Sequence, residues 1–141
     1  MIKRIIFHAE NYSSPALNLG LLILRVSIGL FMAFGHGLGK LPVSAGFIGA
    51  VAKMGMPMPE LFAWCAALSE FFGGLFIALG LATRIFSVSL AFTMAVAGFL
   101  VHGADPFATK EKAFLYLITC VVLFFTGPGK YSIDGLINGK K

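Results

Sequence analysis

Charge is what this sequence has least of. Asp, Glu, Lys and Arg make up 12% of its 141 residues, against roughly one-quarter in ordinary soluble domains. The eleven Lys and Arg outnumber the six Asp and Glu, for a formal charge of +5. These basic residues sit singly between apolar segments and form no stripe, which argues against nucleic acid as a partner. Cysteine is nearly absent: Cys65 and Cys120 lie inside apolar stretches with no CxxC, so two buried free thiols are expected and a redox pair is not. No HExxH, CxxCH or Walker pattern occurs. Gly35-His36-Gly37-Leu38-Gly39 follows an apolar helical segment, not a strand, which removes a nucleotide-binding reading. A secretory leader is not expected either, because the apolar run after Lys3 and Arg4 is broken by His8, Glu10 and Asn11.

What fills the chain instead is apolar. Hydrophobic residues account for 58% of it, and the mean hydropathy is +0.90. Fifteen Phe and seventeen Gly suit packed membrane helices, where glycine lets backbones approach closely. Four long segments carry helix punctuation, predicting helices at about 15–36, 59–82, 84–102 and 106–126 within one membrane domain spanning residues 1–141. Ser14-Pro15 and Asp105-Pro106 read as an N-cap followed by a first helical residue. Pro59 starts the second helix, Thr83 caps the third, and Gly127-Pro128-Gly129 ends the fourth. At 1.5 Å per residue, each covers about 27 to 36 Å, close to the hydrocarbon thickness of a bilayer. Between the first two, residues 45–54 place Phe47, Ile48, Val51 and Met54 at helical spacing, predicting a short interfacial helix. The fold class expected is therefore all-α: an integral membrane four-helix bundle with a short interfacial helix between helices 1 and 2.

Four spans put both termini on one side. With the termini cytoplasmic, Lys3, Arg4, Arg84, Lys130, Lys140 and Lys141 lie inside, against Lys40, Lys53, Lys110 and Lys112 outside, the orientation that the positive-inside rule favours. Tyr12 and Tyr131 then mark the inner interface and Trp64 the outer one.

The polar residues within the apolar spans are the candidates for function. Arg25 and Glu70 each lie ten residues into their helices from opposite faces, about 15 Å deep, and are expected to face inwards and pair. Tyr116 and Thr93 fall at similar depth on the other two helices. Such a layer either fixes helix register or forms a polar floor beneath a ligand cavity. A second group gathers at the outer end: His36 and Lys40 at the end of helix 1, His102 at the end of helix 3, and Glu111 near the start of helix 4. Arg25, His36, Lys40, Glu70, His102 and Tyr116 are thus the candidate substrate-binding residues. Histidine exchanges protons near neutral pH and ligates metals, yet no metal site and no haem is expected from two histidines at an interface.

Taken together, Arg25-Val26-Ser27-Ile28-Gly29, Phe34-Gly35-His36-Gly37-Leu38-Gly39-Lys40-Leu41, Glu70-Phe71-Phe72-Gly73-Gly74 with Leu79-Gly80-Leu81-Ala82-Thr83-Arg84, and Gly127-Pro128-Gly129-Lys130-Tyr131-Ser132-Ile133-Asp134 resemble the DoxX family of small four-helix membrane proteins. The resemblance runs from Leu19 to Leu136. It implies a bacterial inner-membrane protein associated with quinone-linked oxidoreduction or with resistance to oxidative stress. It carries over Arg25, His36, Lys40, Glu70, Arg84 and Asp134, with Arg84 expected to pair with Asp134 at the inner face. The reading favoured is a membrane subunit or redox-associated protein that binds a quinone, or a similar apolar carbonyl compound, in the bilayer. No covalent cofactor is expected, and the chain has no obvious electron carrier, so a redox partner protein or diffusing quinone supplies the electrons. The alternative is a non-enzymatic binding, transport or assembly protein, and self-association into a homo-oligomer is left open.

Overall fold

A computed structural model describes residues 12–138. The charges assigned to Lys3, Arg4, Lys140 and Lys141 lie outside the described residues, as does the leader reading that rests on His8, Glu10 and Asn11. Among the described residues the chain is all helix and turn, in six helical runs: α1 (Pro15–Lys40), α2 (Ala45–Lys53), α3 (Pro59–Leu79), α4 (Thr83–Val101), α5 (Phe107–Thr126) and α6 (Ile133–Asn138). The caps explain several of the starts. Ser14 accepts the Leu17 amide at 3.3 Å and Ser44 the Phe47 amide at 3.2 Å, each satisfying a donor that the first helical turn leaves open. Asp105 does not cap α5 as expected; its carboxylate turns back to His102.

Three runs, α1, α3 and α4, are long and apolar enough to cross a membrane. The fourth expected span, α5, has twenty residues, but Lys110, Glu111 and Lys112 sit near its start and break the apolar stretch. It nonetheless packs along the length of α4 and completes the bundle. The core is drawn from all four: Leu21 and Met32, Ile77, Leu90 and Met94, and Cys120 and Leu123. The outside is just as apolar. Phe31, Phe99 and Phe125 are 63%, 63% and 72% exposed, and so large an apolar exterior calls for lipid around it. The short helix predicted between the first two spans is present as α2, and α6 is an addition that the sequence pattern did not announce.

Each of α1, α3 and α4 contains a π-helical turn, at Ala33–Gly37, Ser69–Gly73 and Ala97–Val101. Hydropathy does not report such turns, because one widened turn leaves the apolar average unchanged. The first two pack against each other along a seam of small residues. A Cβ at Gly29 would lie 2.7 Å from the Ala78 nitrogen, one at Gly37 2.7 Å from the Glu70 carbonyl carbon, and one at Gly74 2.9 Å from the Ala33 nitrogen. Gly29, Ala33 and Gly37 recur every four residues on one face of α1, the small-xxx-small pattern by which membrane helices approach backbone to backbone. This seam sets the register: Glu70 stands beside Gly37, twelve residues beyond Arg25 and so about 18 Å along the α1 axis.

The seam makes a contrast testable by thermal unfolding in detergent. Gly29→Ala forces the two backbones apart and should lower stability by about 1–3 kcal/mol, as overpacking does. Gly20→Ala on the same helix meets nothing within 4 Å and should be neutral or raise stability by up to about 1 kcal/mol through helix propensity.

Candidate functional site

The candidate residues separate into four places. Glu70, on the π turn of α3, is buried at 2% exposure, and both its oxygens lie 2.5 Å from the Lys40 ammonium. The partner is therefore Lys40 and not Arg25. Depth counting assumed that α1 and α3 cross the bilayer in step, whereas the glycine seam offsets them and brings the end of α1 to the Glu70 level. Lys40 also lies over the Phe47 ring, 5.5 Å from its centre, tying α2 to the pair.

This ion pair lines a cavity of about 380 Å³ beneath α2 and between α3 and α4. Glu70 and Ser89 mark its inner end, at the level where the Ser69 and Ser89 hydroxyls lie 2.9 Å apart. Phe47 and Val51 of α2, with Met54 just after it, roof it, and Phe62, Phe92 and Val96 are among its walls. Val88 and Phe92 on its α4 side are 52% and 60% exposed, so the cavity meets the apolar exterior between α3 and α4. Thr93, placed in the polar layer by the sequence, lines it too, although its hydroxyl is turned to the Ser89 carbonyl. Sequence reasoning missed Ser89 and Cys65. The four-residue glycine repeat was the signal that would have aligned Lys40 with Glu70.

Arg25 does a different job. Its side chain is 1% exposed and reaches the end of α3 and the segment after α5. There it donates to the carbonyls of Ile77 (3.3 Å), Ala78 (2.8 Å) and Tyr131 (2.5 Å). It so satisfies the Ala78 carbonyl, which the end of α3 leaves open, adds a second donor to the Ile77 carbonyl that the Gly80 amide already reaches, and fastens the segment after α5 to them. Asp134 completes the closure. Its carboxylate accepts the amides of Ala82 (2.8 Å) and Thr83 (3.1 Å), capping α4 from a distant part of the chain, and its own amide donates to Gly80. The cation acting on it is Arg25, where the sequence pointed to Arg84. Burial pushes the Asp134 carboxyl above the usual carboxylate range, while the Thr83 and Ala82 donors and Arg25 pull it back.

His36 and Tyr116 meet elsewhere, ring centres 5.6 Å apart and edge to face, in a groove of about 480 Å³ between α1 and α5. The groove and the Lys40–Glu70 cavity share no lining residue. His102 lies outside both: its Nδ1 is 2.7 Å from the Asp105 carboxylate on an exposed turn. Glu111 lines neither. Among the described residues no group of His, Cys, Asp and Glu could hold a metal ion. Cys120 is buried as expected, whereas Cys65 is exposed at the rim of the cavity.

Arg25 and Asp134 thus tie backbone ends together, with a measurable consequence. Asp134→Ala should cost at least about 1–2 kcal/mol, the worth of a helix cap. The raised Asp134 value also sets a pH dependence. Below the ordinary carboxylate value of about 4 the folded and unfolded states are equally protonated. As pH rises from there through the folded value, the unfolded chain has already released its proton, so the wild type loses stability. Melting curves across that range should flatten in Asp134→Ala.

Comparison with known proteins agrees with this architecture. The DoxX family model matches residues 20–103. The chain is 34% identical over 130 residues to a Bacillus subtilis (strain 168) protein named "Putative oxidoreductase CatD", covering 91% of this chain and 95% of that one. It is 32% identical over 131 residues to the "Inner membrane protein YqjF" of Escherichia coli (strain K12), covering 87% and 95%. No solved structure matches. A family match across the seam, the Lys40–Glu70 pair and the first three spans, with relatives aligned nearly end to end, makes this chain a membrane protein of the DoxX family.

Proposed function

We propose that the chain binds a quinone, or a similar apolar carbonyl compound, in the cavity beneath α2, in support of quinone-linked oxidoreduction in the bacterial inner membrane. The observation that carries this reading is the Lys40–Glu70 pair, its carboxylate buried, in a largely apolar cavity of about 380 Å³, since small-molecule sites are largely apolar with a few convergent polar groups. A charged pair at this depth is costly in a membrane and is by default a functional hypothesis. The relative named as an oxidoreductase supports a redox role, and the relative named as an inner membrane protein supports the location.

The division of labour follows from the side chains. The Lys40 ammonium has three N–H donors and uses two directions on Glu70. Its side chain is 32% exposed, so the remaining donor is free to take a carbonyl oxygen of the ligand. Glu70 holds the ammonium in place and keeps the pair neutral overall within the apolar surround. Phe47, Phe62 and Phe92 supply faces for a flat ring. The opening between α3 and α4 lets a lipid-soluble molecule enter from the bilayer. Electrons come from a redox partner protein or from the compound that the quinone oxidises. The cytoplasmic placement of both termini belongs to the same proposal, and it puts the cavity towards the outer face.

The test is mass spectrometry of lipids extracted from the purified protein, with titration of a short-chain ubiquinone analogue. A quinone should co-purify, and Lys40→Gln should weaken analogue binding about tenfold, the worth of one hydrogen bond to a charged donor. The melting temperature should fall more in Lys40→Gln, which leaves the buried carboxylate without its cation, than in Glu70→Gln, whose remaining ammonium is part exposed. Absence of a co-purified quinone together with equal analogue binding by wild type and Lys40→Gln would overturn the reading.

A further inference from the structure

We propose that the groove between α1 and α5 is a binding site for one anionic phospholipid, separate from the cavity beneath α2. It has a volume of about 480 Å³ and is lined by Ile28, Phe31, Phe34 and Leu115 together with His36, Lys112 and Tyr116. Its polarity runs along the bundle. Lys112 and His36 lie at the end where α1 finishes and α5 begins. Ile28 lies eight residues before His36, about 12 Å deeper. Tyr116 is one turn below Lys112 on the same helix. A phospholipid has the same order: a phosphate at the interface, ester carbonyls beneath it, then an acyl chain. The Lys112 ammonium and the His36 ring match the phosphate, the Tyr116 hydroxyl matches an ester carbonyl, and the apolar walls match the chain.

The charge selects the headgroup. The groove is lined by Lys112 and by no carboxylate, so a lipid with net negative charge is favoured over a zwitterionic one, whose choline or ethanolamine cation finds no counter-charge there. The walls are continuous with the lipid-facing surface, since Phe31 and Phe34 are exposed at 63% and 57%. An acyl chain therefore enters sideways without any helix having to move.

Gly35 gives a way to test the groove without disturbing the fold. It lines the groove, and a Cβ there would meet nothing within 4 Å. Gly35→Leu thus fills the space an acyl chain would take. The experiment is native mass spectrometry of delipidated protein in an uncharged maltoside micelle, titrated with phosphatidylglycerol or phosphatidylcholine of identical chains. Wild type should retain phosphatidylglycerol with a preference of about tenfold, the worth of a charge-assisted hydrogen bond. The double variant Lys112→Gln with His36→Gln should lose the preference, and Gly35→Leu should lose retention of both lipids. Lys53→Gln, which removes a charge from α2 outside both cavities, should change neither. Circular dichroism of each variant checks that the helices are intact. Equal retention of the two lipids by wild type, or an unchanged preference in the double variant, overturns the proposal. Competition by glycerol 1-phosphate as effective as by the lipid would mark a site for soluble phosphate, and displacement by the short-chain ubiquinone analogue would mark a second quinone site; either result overturns it as well.

Discussion

The close crossing of α1 and α3 is the constraint on which the rest depends. Inside a bilayer the hydrophobic effect does not drive helices together, because lipid is as apolar as leucine, so association rests on van der Waals contact and on polar groups. Gly29, Ala33 and Gly37 on one side, with Gly74 and Ala78 on the other, bring the two backbones into contact. That contact has only one register, and the register decides which polar groups can meet. With Gly37 against Glu70, the residue three positions further on, Lys40, turns over the carboxylate. Arg25, far down the same helix, is left beside the end of α3. Two cations on one helix, Arg25 buried and Lys40 part exposed, thus acquire different partners from where the seam places them.

The two polar clusters also differ in kind. Arg25 and Asp134 spend nearly all their hydrogen bonds on backbone groups: the carbonyls that end α3, the amides that begin α4, and the Tyr131 carbonyl. The Ala78 carbonyl and the two amides are groups that a helix end cannot satisfy for itself, and in a membrane an unsatisfied one costs several kcal/mol. The segment after α5 returns into the bundle to supply them. Lys40 and Glu70, by contrast, make no hydrogen bond to backbone among the described residues. They bind each other and face a cavity, an arrangement that stabilises little by itself, since the desolvation of a buried pair roughly cancels its attraction. A pair that does so little for the fold is better understood through the space it borders.

Much of this was legible in the sequence. Low charge, apolar runs of bilayer length and proline at helix starts gave the helices, with boundaries off by a few residues. The short helix over the cavity was legible from Phe47, Val51 and Met54, and the family from the order of its motifs. What failed was the step from depth to partnership. Counting ten residues from each helix start placed Arg25 and Glu70 in one layer, and helical rise is indeed regular. Counting, however, assumes that all helices start at the same plane, and only the packing between them sets that. The relevant evidence is in the glycines: their number announces close approach, and only the four-residue spacing of Gly29, Ala33 and Gly37 fixes the register. Three further features left no trace in hydropathy: the π turns, the long-range cap from Asp134, and the separation of His36 and Tyr116 from the charged pair.

That separation changes how the candidate residues should be interpreted. A single polar layer would have implied one ligand held from four helices. The structure instead puts the ion pair on the α3 and α4 side, under a roof, and the aromatic pair on the α1 and α5 side, open to lipid. A roofed cavity with an ion pair at its base suits a compact head that must be oriented. An open groove with a cation at its rim suits an amphiphile that already lies parallel to the helices. The Gly29-Ala33-Gly37 seam produces both at once. By packing one face of α1 hard against α3, it carries Lys40 over to the α3 side while the opposite face of α1, with Phe31, Phe34 and His36, is left to α5 and the bilayer.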